Sequence, residues 1–241
     1  MEGKAVPEMK PAKIGIDIDG VLNRHREHFC AMLLRLRGIN VHPDSITVIP
    51  VHKCAGLGVT LADECAVFNH PSYWKDMPVE QGAAVALAQL RQDDGRQVFL
   101  FTHRPWPDCS TFPEGSAEDC AALWEAEHPE WREQGKAITS ITEKWLSQHG
   151  IPYDRLVIEG AVSPAPDDST EPRDRFGLAE RGEIRVFVED DPGKAKRMAD
   201  LCERVLLFDQ PYNRCDAGHL PNNLVRVQSW HEAYEYICEV F

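Results

Sequence analysis

The chain contains no run of about 18 apolar residues, the length a membrane-crossing helix requires. Basic residues are scarce: 26 Lys and Arg stand against 39 Asp and Glu, a formal charge of -13. Nucleic-acid polymers and anionic membranes both call for basic surface, so neither is expected as a partner. A small anionic ligand stays open, because a bound cation reverses the local sign. None of the eight cysteines stands in a Cys-x-x-Cys pair. Scattered singly, several of them in apolar helix patterns, they read as reduced and mostly buried thiols rather than as disulfides or zinc ligands. There is no internal repeat and no long low-complexity run. The lead "MEGKAVPEMKPAK" lacks the apolar core of a signal segment. Together these absences give the expectation of a cytoplasmic protein with a short flexible lead. At 241 residues it is large enough for one domain with a smaller insert.

What the chain does contain is alternation. "KIGIDIDG" reads as a strand running into a loop, and "RQVFLFTH" as a near-continuous apolar strand of the kind covered on both faces. "RLVIEG", "IRVFVEDDP" and "RVLLFD" read as three more. Helical patterns separate them: Phe29, Met32, Leu33 and Leu36 before Gly38, then "GAAVALAQLRQ", a Trp-rich stretch through Trp145, and "AKRMADLCE". Thr60 with Asp63, and Ser229 with Glu232, have the spacing of helix N-terminal caps. Alternating strands and helices predict an α/β fold, a Rossmann-like parallel sheet with helices on both faces. Residues 23–83 break the alternation and read as a small helical cap inserted after the first strand. The core would then comprise 1–22 and 84–241.

In such sheets ligands bind outside the carboxyl ends of the strands. The polar residues at those ends are Asp17 and Asp19, Thr102, and Glu189, Asp190 and Asp191. Two carboxylates at i and i+2 of an extended chain point to the same side. Unpaired, one would keep its proton. A divalent cation removes the conflict, and Mg2+ suits oxygen donors together with a substrate phosphate. A third carboxylate from another strand end would complete the set, and Asp190 fits that position, with Glu189 and Asp191 as the off-register alternatives.

These residues carry a resemblance. Asp17-Ile18-Asp19-Gly20-Val21-Leu22, "VFLFT" ending at Thr102, and "VFVEDD" resemble, in order, the first, second and fourth motifs of the haloacid-dehalogenase-like phosphatases. "FTHRP", "EKWLSQHGIPYDRLV" and "VLLFDQPYN" are similar to the 5′(3′)-deoxyribonucleotidase-like branch, with only a loose match in the cap. The resemblance implies Asp17 as the nucleophile that forms an aspartyl-phosphate, and Asp19 as general acid and base. It implies Mg2+ held by the Asp17 carboxylate, the Asp19 backbone carbonyl and Asp190. Thr102 would hydrogen-bond a phosphate oxygen, and Gly20 would let backbone N–H groups approach it. His103 and Arg104, next to Thr102, are further candidates for contact with the substrate.

One expected residue is missing. The family's third motif is a lysine shortly before the fourth strand, yet no lysine occurs between Trp145 and Glu189. Arg173 or Arg175 is expected to supply that charge, with Lys144 as the third candidate. His25, His28, His52 and Lys53 lie on the cap, and Phe68 or Trp74 could stack on a base. The leading expectation is a Mg2+-dependent phosphomonoesterase, nucleotidase-like, acting on a small phosphorylated metabolite. The alternatives are a phosphate-binding pseudoenzyme or sensor on the same scaffold, and a phosphotransferase. The sequence names neither the substrate nor the oligomeric state.

Overall fold

The computed structural model describes residues 12–70, 72–92, 96–103, 130–159, 174–214 and 220–241. Six parallel strands form one sheet: β1 Ala12–Asp17, β2 Arg96–His103, β3 Arg155–Glu159, β4 Ile184–Glu189, β5 Arg204–Phe208 and β6 Leu224–Val227. Their spatial order is β3-β2-β1-β4-β5-β6. The chain thus starts in the middle and winds outward in both directions, and β1 and β4 flank the switch point where such sheets hold their ligands. Asp17 ends β1 and Glu189 ends β4, so the acidic termini are neighbours in the sheet.

The apolar runs follow from burial on both faces. On β2, Val98 and Leu100 enter one apolar cluster, while Phe99 and Phe101 enter the other. On β5, Leu206 and Phe208 alternate with Val205 and Leu207 in the same way. Gly15 lies where Phe187 crosses β1; a β-carbon there would overlap the Phe187 ring. The first cluster is covered by α1 His25–Arg37, α3 Ala83–Gln92, α4 Glu130–Gln148 and α8 Trp230–Cys238, and the second by α5 Arg175–Glu180 and α6 Pro192–Ala199. A one-turn helix, α7 Pro211–Arg214, follows β5.

Between β1 and α3 lie α1, two 3-10 turns at Pro43–Ser45 and Val51–Lys53, and α2 Leu61–Phe68. The α2 cap has both expected bonds: Thr60 Oγ1 accepts from the Asp63 N–H, and the Asp63 carboxylate accepts from the Thr60 N–H. Phe29, Leu33 and Val67 from this segment share the first apolar cluster with Ile14 and Leu100. The segment therefore packs down onto the sheet. Buried tryptophans tie distant parts together through their N–H groups, as buried indoles require. Trp145 donates to the Met77 carbonyl at 2.6 Å, and Trp230 donates to the Val21 carbonyl at 2.9 Å.

The structure departs from the sequence reading at three points. A sixth strand, β6, is present; four residues between turns are too short to show a clear period. No helix pattern stands out between "RLVIEG" and "IRVFVEDDP", yet Arg175 opens α5, with the Asp174 side chain accepting from the Gly177 N–H at 2.7 Å. Cys30, Cys54, Cys202 and Cys238 are free thiols as expected, but Cys65 is disulfide-bonded. No helix of the described residues is long and apolar enough to cross a membrane.

Candidate active site

The loop leaving β1 is clamped from several sides. The N–H groups of Val21, Leu22 and Asn23 all turn back to the Ile18 carbonyl. Gln210 donates to the Gly20 carbonyl at 2.8 Å, and Asn23 Oδ1 accepts from the Gly20 N–H at 3.1 Å. Gly20 has φ +79°, and a β-carbon on it would overlap the Asp190 carboxylate and crowd the Tyr212 hydroxyl. Glycine is thus required by the close approach of β1 and β4 termini, and its own N–H is already used within the loop.

Asp17 and Asp19 receive different surroundings. The buried Asp17 carboxylate accepts from the Asp19 N–H at 3.1 Å and forms an ion pair with Arg175 Nη2 at 2.7 Å. Asp19 turns its carboxylate to two donors: Thr102 Oγ1 at 2.6 Å and Asn23 Nδ2 at 2.8 Å. Thr102, expected to meet a phosphate oxygen, here orients Asp19. Asp190 accepts from the Tyr212 hydroxyl, and its carbonyl accepts from Asn213 Nδ2 at 2.8 Å. Asp191 is a helix cap, accepting from the N–H groups of Gly193 at 2.7 Å and Lys194 at 3.0 Å.

Asp17, Glu189 and Asp190 bring buried carboxylate oxygens within 4.8 Å of one another. Burial, and then the Glu189 charge, push the Asp17 carboxyl up to about 7 against the pull of Arg175 and Lys194. Burial, with Glu189 and Asp17, also raises Asp190 well above the carboxylate range, although the Tyr212 hydroxyl opposes it. The group is short of positive charge. A hard divalent cation fits such an all-oxygen set. Two members of the set already pair with Arg175, Glu189 through Nη1 and Asp17 through Nη2.

Of the three candidates for the missing cation, the structure brings Arg175 to the acids. Its guanidinium meets Asp17, Glu189 and Glu159, with Glu159 Oε2 at 2.6 Å from Nη2. It also lies over the rings of Phe101 and Phe187, at 5.8 and 5.5 Å. Lys144 does not reach the acids. It is exposed on α4, whose buried side carries Thr142, Trp145 and Leu146. Arg173 and Arg104 lie outside the described residues.

A pocket of about 680 Å³ opens over these groups. Its floor is Asp17, Asp19, Asp190, Asp191, Pro192, Lys194 and Tyr212; its wall is His25, Thr47, Val48, Ile49, Phe68 and Trp74, with His103 exposed beside them. The Phe68 ring stacks on both His25 and Trp74, each at 6.0 Å and 18°. His28 packs on Tyr73 and His52 pairs with Glu64; neither of them lines the pocket, nor does exposed Lys53. Sequence reasoning missed Glu159, Tyr212 and Lys194. Glu159 had a usable signal, an acid at the end of a strand, and Lys194 lies one helical turn beyond Asp190.

No protein-family model and no curated protein sequence matches this chain. Solved structures do resemble it. A predicted phosphatase from Clostridium acetobutylicum superposes with a TM-score of 0.56 at 12% identity, over 96% of this chain and 100% of that one. A haloacid dehalogenase-like family hydrolase from Streptococcus pneumoniae gives 0.52 at 10% identity, over 94% and 98%. The chain therefore has the haloacid-dehalogenase-like fold, a Rossmann-like α/β sheet with helices on both faces.

Proposed function

We propose that the protein is a Mg2+-dependent phosphomonoesterase, nucleotidase-like, that hydrolyses a small phosphorylated metabolite through an aspartyl-phosphate. One observation carries this reading: the buried carboxylates of Asp17 and Asp190 converge at adjacent strand ends under a pocket of about 680 Å³. Asp17, Asp190 and the Asp19 backbone carbonyl would hold the Mg2+, which supplies the positive charge this carboxylate set lacks.

The chain's own residues supply the rest. Asp17 forms the new O–P bond as the ester P–O bond breaks. Asp19 gives its proton to the leaving oxygen, then takes one from the water that attacks the aspartyl-phosphate. The hydroxyl of Thr102 and the amide of Asn23 hold the Asp19 carboxylate beside Asp17 for both halves. Arg175 restrains Asp17 and offsets the repulsion between it and Glu189. The Tyr212 hydroxyl fixes Asp190. The wall rings His25, Phe68 and Trp74 support a flat, ring-bearing leaving group such as a nucleoside, because offset ring stacking favours such faces.

The test is phosphate release with Mg2+ from a panel of nucleoside monophosphates and sugar phosphates. Asp17→Asn should lower turnover by about a thousandfold or more while the fold persists, and EDTA should abolish it. Wild-type protein that binds these esters without releasing phosphate would overturn the hydrolase reading in favour of a binding protein.

A further inference from the structure

In the phosphatase reading, a dianionic phosphoryl group must approach the anionic Asp17. That approach needs a cation on the substrate side of the carboxylate. Arg175 is not on that side. It is fully enclosed, at 0% exposure, and its guanidinium is divided among Asp17, Glu159 and Glu189. Two phenylalanine rings lie against it, and it does not line the pocket. Reaching a substrate would require breaking a buried ion-pair network.

Lys194 differs on each count. Among the described residues it is the only lysine or arginine lining the pocket. Its ammonium makes no ion pair or hydrogen bond with any described side chain, whereas Arg175 is saturated. Burial works against its charge, but Glu189 and Asp17 outweigh it and hold the group above the usual lysine value. The ammonium is thus charged and attracted by the floor acids without being bonded to them. Its position in the chain is also costly to the helix. Lys194 sits in the first turn of α6, where the helix dipole disfavours a cation. A lysine there, three residues after the Asp191 cap, runs against local helix preference, and such departures concentrate at functional sites.

We infer that Lys194 is the residue that contacts the phosphoryl group of the substrate, and that Arg175 is a positioning residue acting through Asp17. The charge expected of a single third-motif cation is thereby divided between a residue before β4 and one after it. Lys194 keeps its proton throughout; it donates hydrogen bonds to the phosphoryl oxygens while the O–P bonds to Asp17 and to the leaving group exchange. A point charge on a flexible stem suits a group that moves along the reaction coordinate, whereas a forked guanidinium suits fixed carboxylates.

This inference rests on the phosphatase reading, and two probes separate their failures. The first is inorganic phosphate binding with Mg2+, measured by calorimetry. The second is the kinetics of p-nitrophenyl phosphate hydrolysis. Lys194→Met should weaken phosphate binding and raise KM by about tenfold or more, the loss expected for one charge-assisted hydrogen bond. Lys194→Arg should recover most of both. Arg175→Lys should lower kcat and leave phosphate affinity within about twofold, since it does not touch the ligand. Lys194→Gln repeats the test with a polar side chain should the Met variant fold poorly. Folded Lys194→Met or Lys194→Gln with wild-type phosphate affinity and KM would overturn the assignment. Wild-type protein that binds phosphate through Lys194 but releases none from any ester would overturn the hydrolase and keep the phosphate contact.

Discussion

The floor of the pocket is made of carboxylates, the Lys194 ammonium and the Tyr212 hydroxyl, delivered by strand ends, the first turn of α6 and α7. Its wall is made of rings and apolar side chains delivered by α1, α2, the segment between them and the turn that follows α2. On the floor nearly every polar atom has an assigned partner: Asp17 with Arg175, Asp19 with Thr102 and Asn23, and Asp190 with Tyr212. The wall is held by face contacts among His25, Phe68 and Trp74, and its lip carries Val48 and Ile49 at 42% and 53% exposure. A directional network tolerates few changes of residue type, because any deletion strands a buried charge. Face contacts tolerate more. The floor is thus suited to fixing the chemistry and the wall to choosing what is brought to it.

The largest test of that contrast is Arg175→Met. It strands Asp17, Glu159 and Glu189 without their shared counter-charge, and is expected to cost about 3–5 kcal/mol of stability. Urea denaturation measures this; a variant as stable as wild type would mean that the floor is not held by charge pairing.

A smaller effect is expected on the wall. Trp74→Ala removes one ring face, and should raise KM about tenfold for nucleoside monophosphates while glycerol 2-phosphate is hydrolysed almost as before. Equal losses on both substrates would erase the distinction between wall and floor.

The smallest effect concerns how the wall is anchored. Hydrogen bonds from the Thr60 hydroxyl and N–H, and then from Arg37, hold the Asp63 carboxyl at about 2. A carboxyl held lower in the folded chain than its unfolded value of about 3.9 stabilises the fold above that value and loses the contribution as pH falls toward 2. Asp63→Asn should therefore melt below wild type near neutrality, and the gap should close by about pH 2. Melting curves at the two pH values decide it; a gap that stays constant would exclude the carboxylate charge as its source.

Much of the floor is legible in the residue order alone. "IGIDIDG" and "VFVEDD" each couple a strand pattern to acids, and parallel sheets gather such ends at one edge. The need for an arginine in the region before β4 is also legible, from the missing lysine. The choice of Arg175 over Lys144 is not, because both lie in polar surroundings that look alike in one dimension. Lys194 is hidden because one cation in the first turn of an amphipathic helix is too weak a signal by itself, and only the neighbouring β1 terminus brings its ammonium under the influence of Asp17. The wall is the least legible part. Phe68 and Trp74 are six residues apart, one on α2 and one beyond it, and nothing in their spacing says that their rings stack.

The sequence by itself determined the sheet and its acidic edge, since side-chain alternation and strand-end residues are local properties that adjacent positions encode. Only the tertiary structure decided which cation meets which carboxylate. Arg175 and Lys194 are both distant from Asp17 along the chain, and one is enclosed while the other faces the pocket. That difference depends on burial and on distances of a few ångströms across β1 and β4, which the order of residues along the chain does not express.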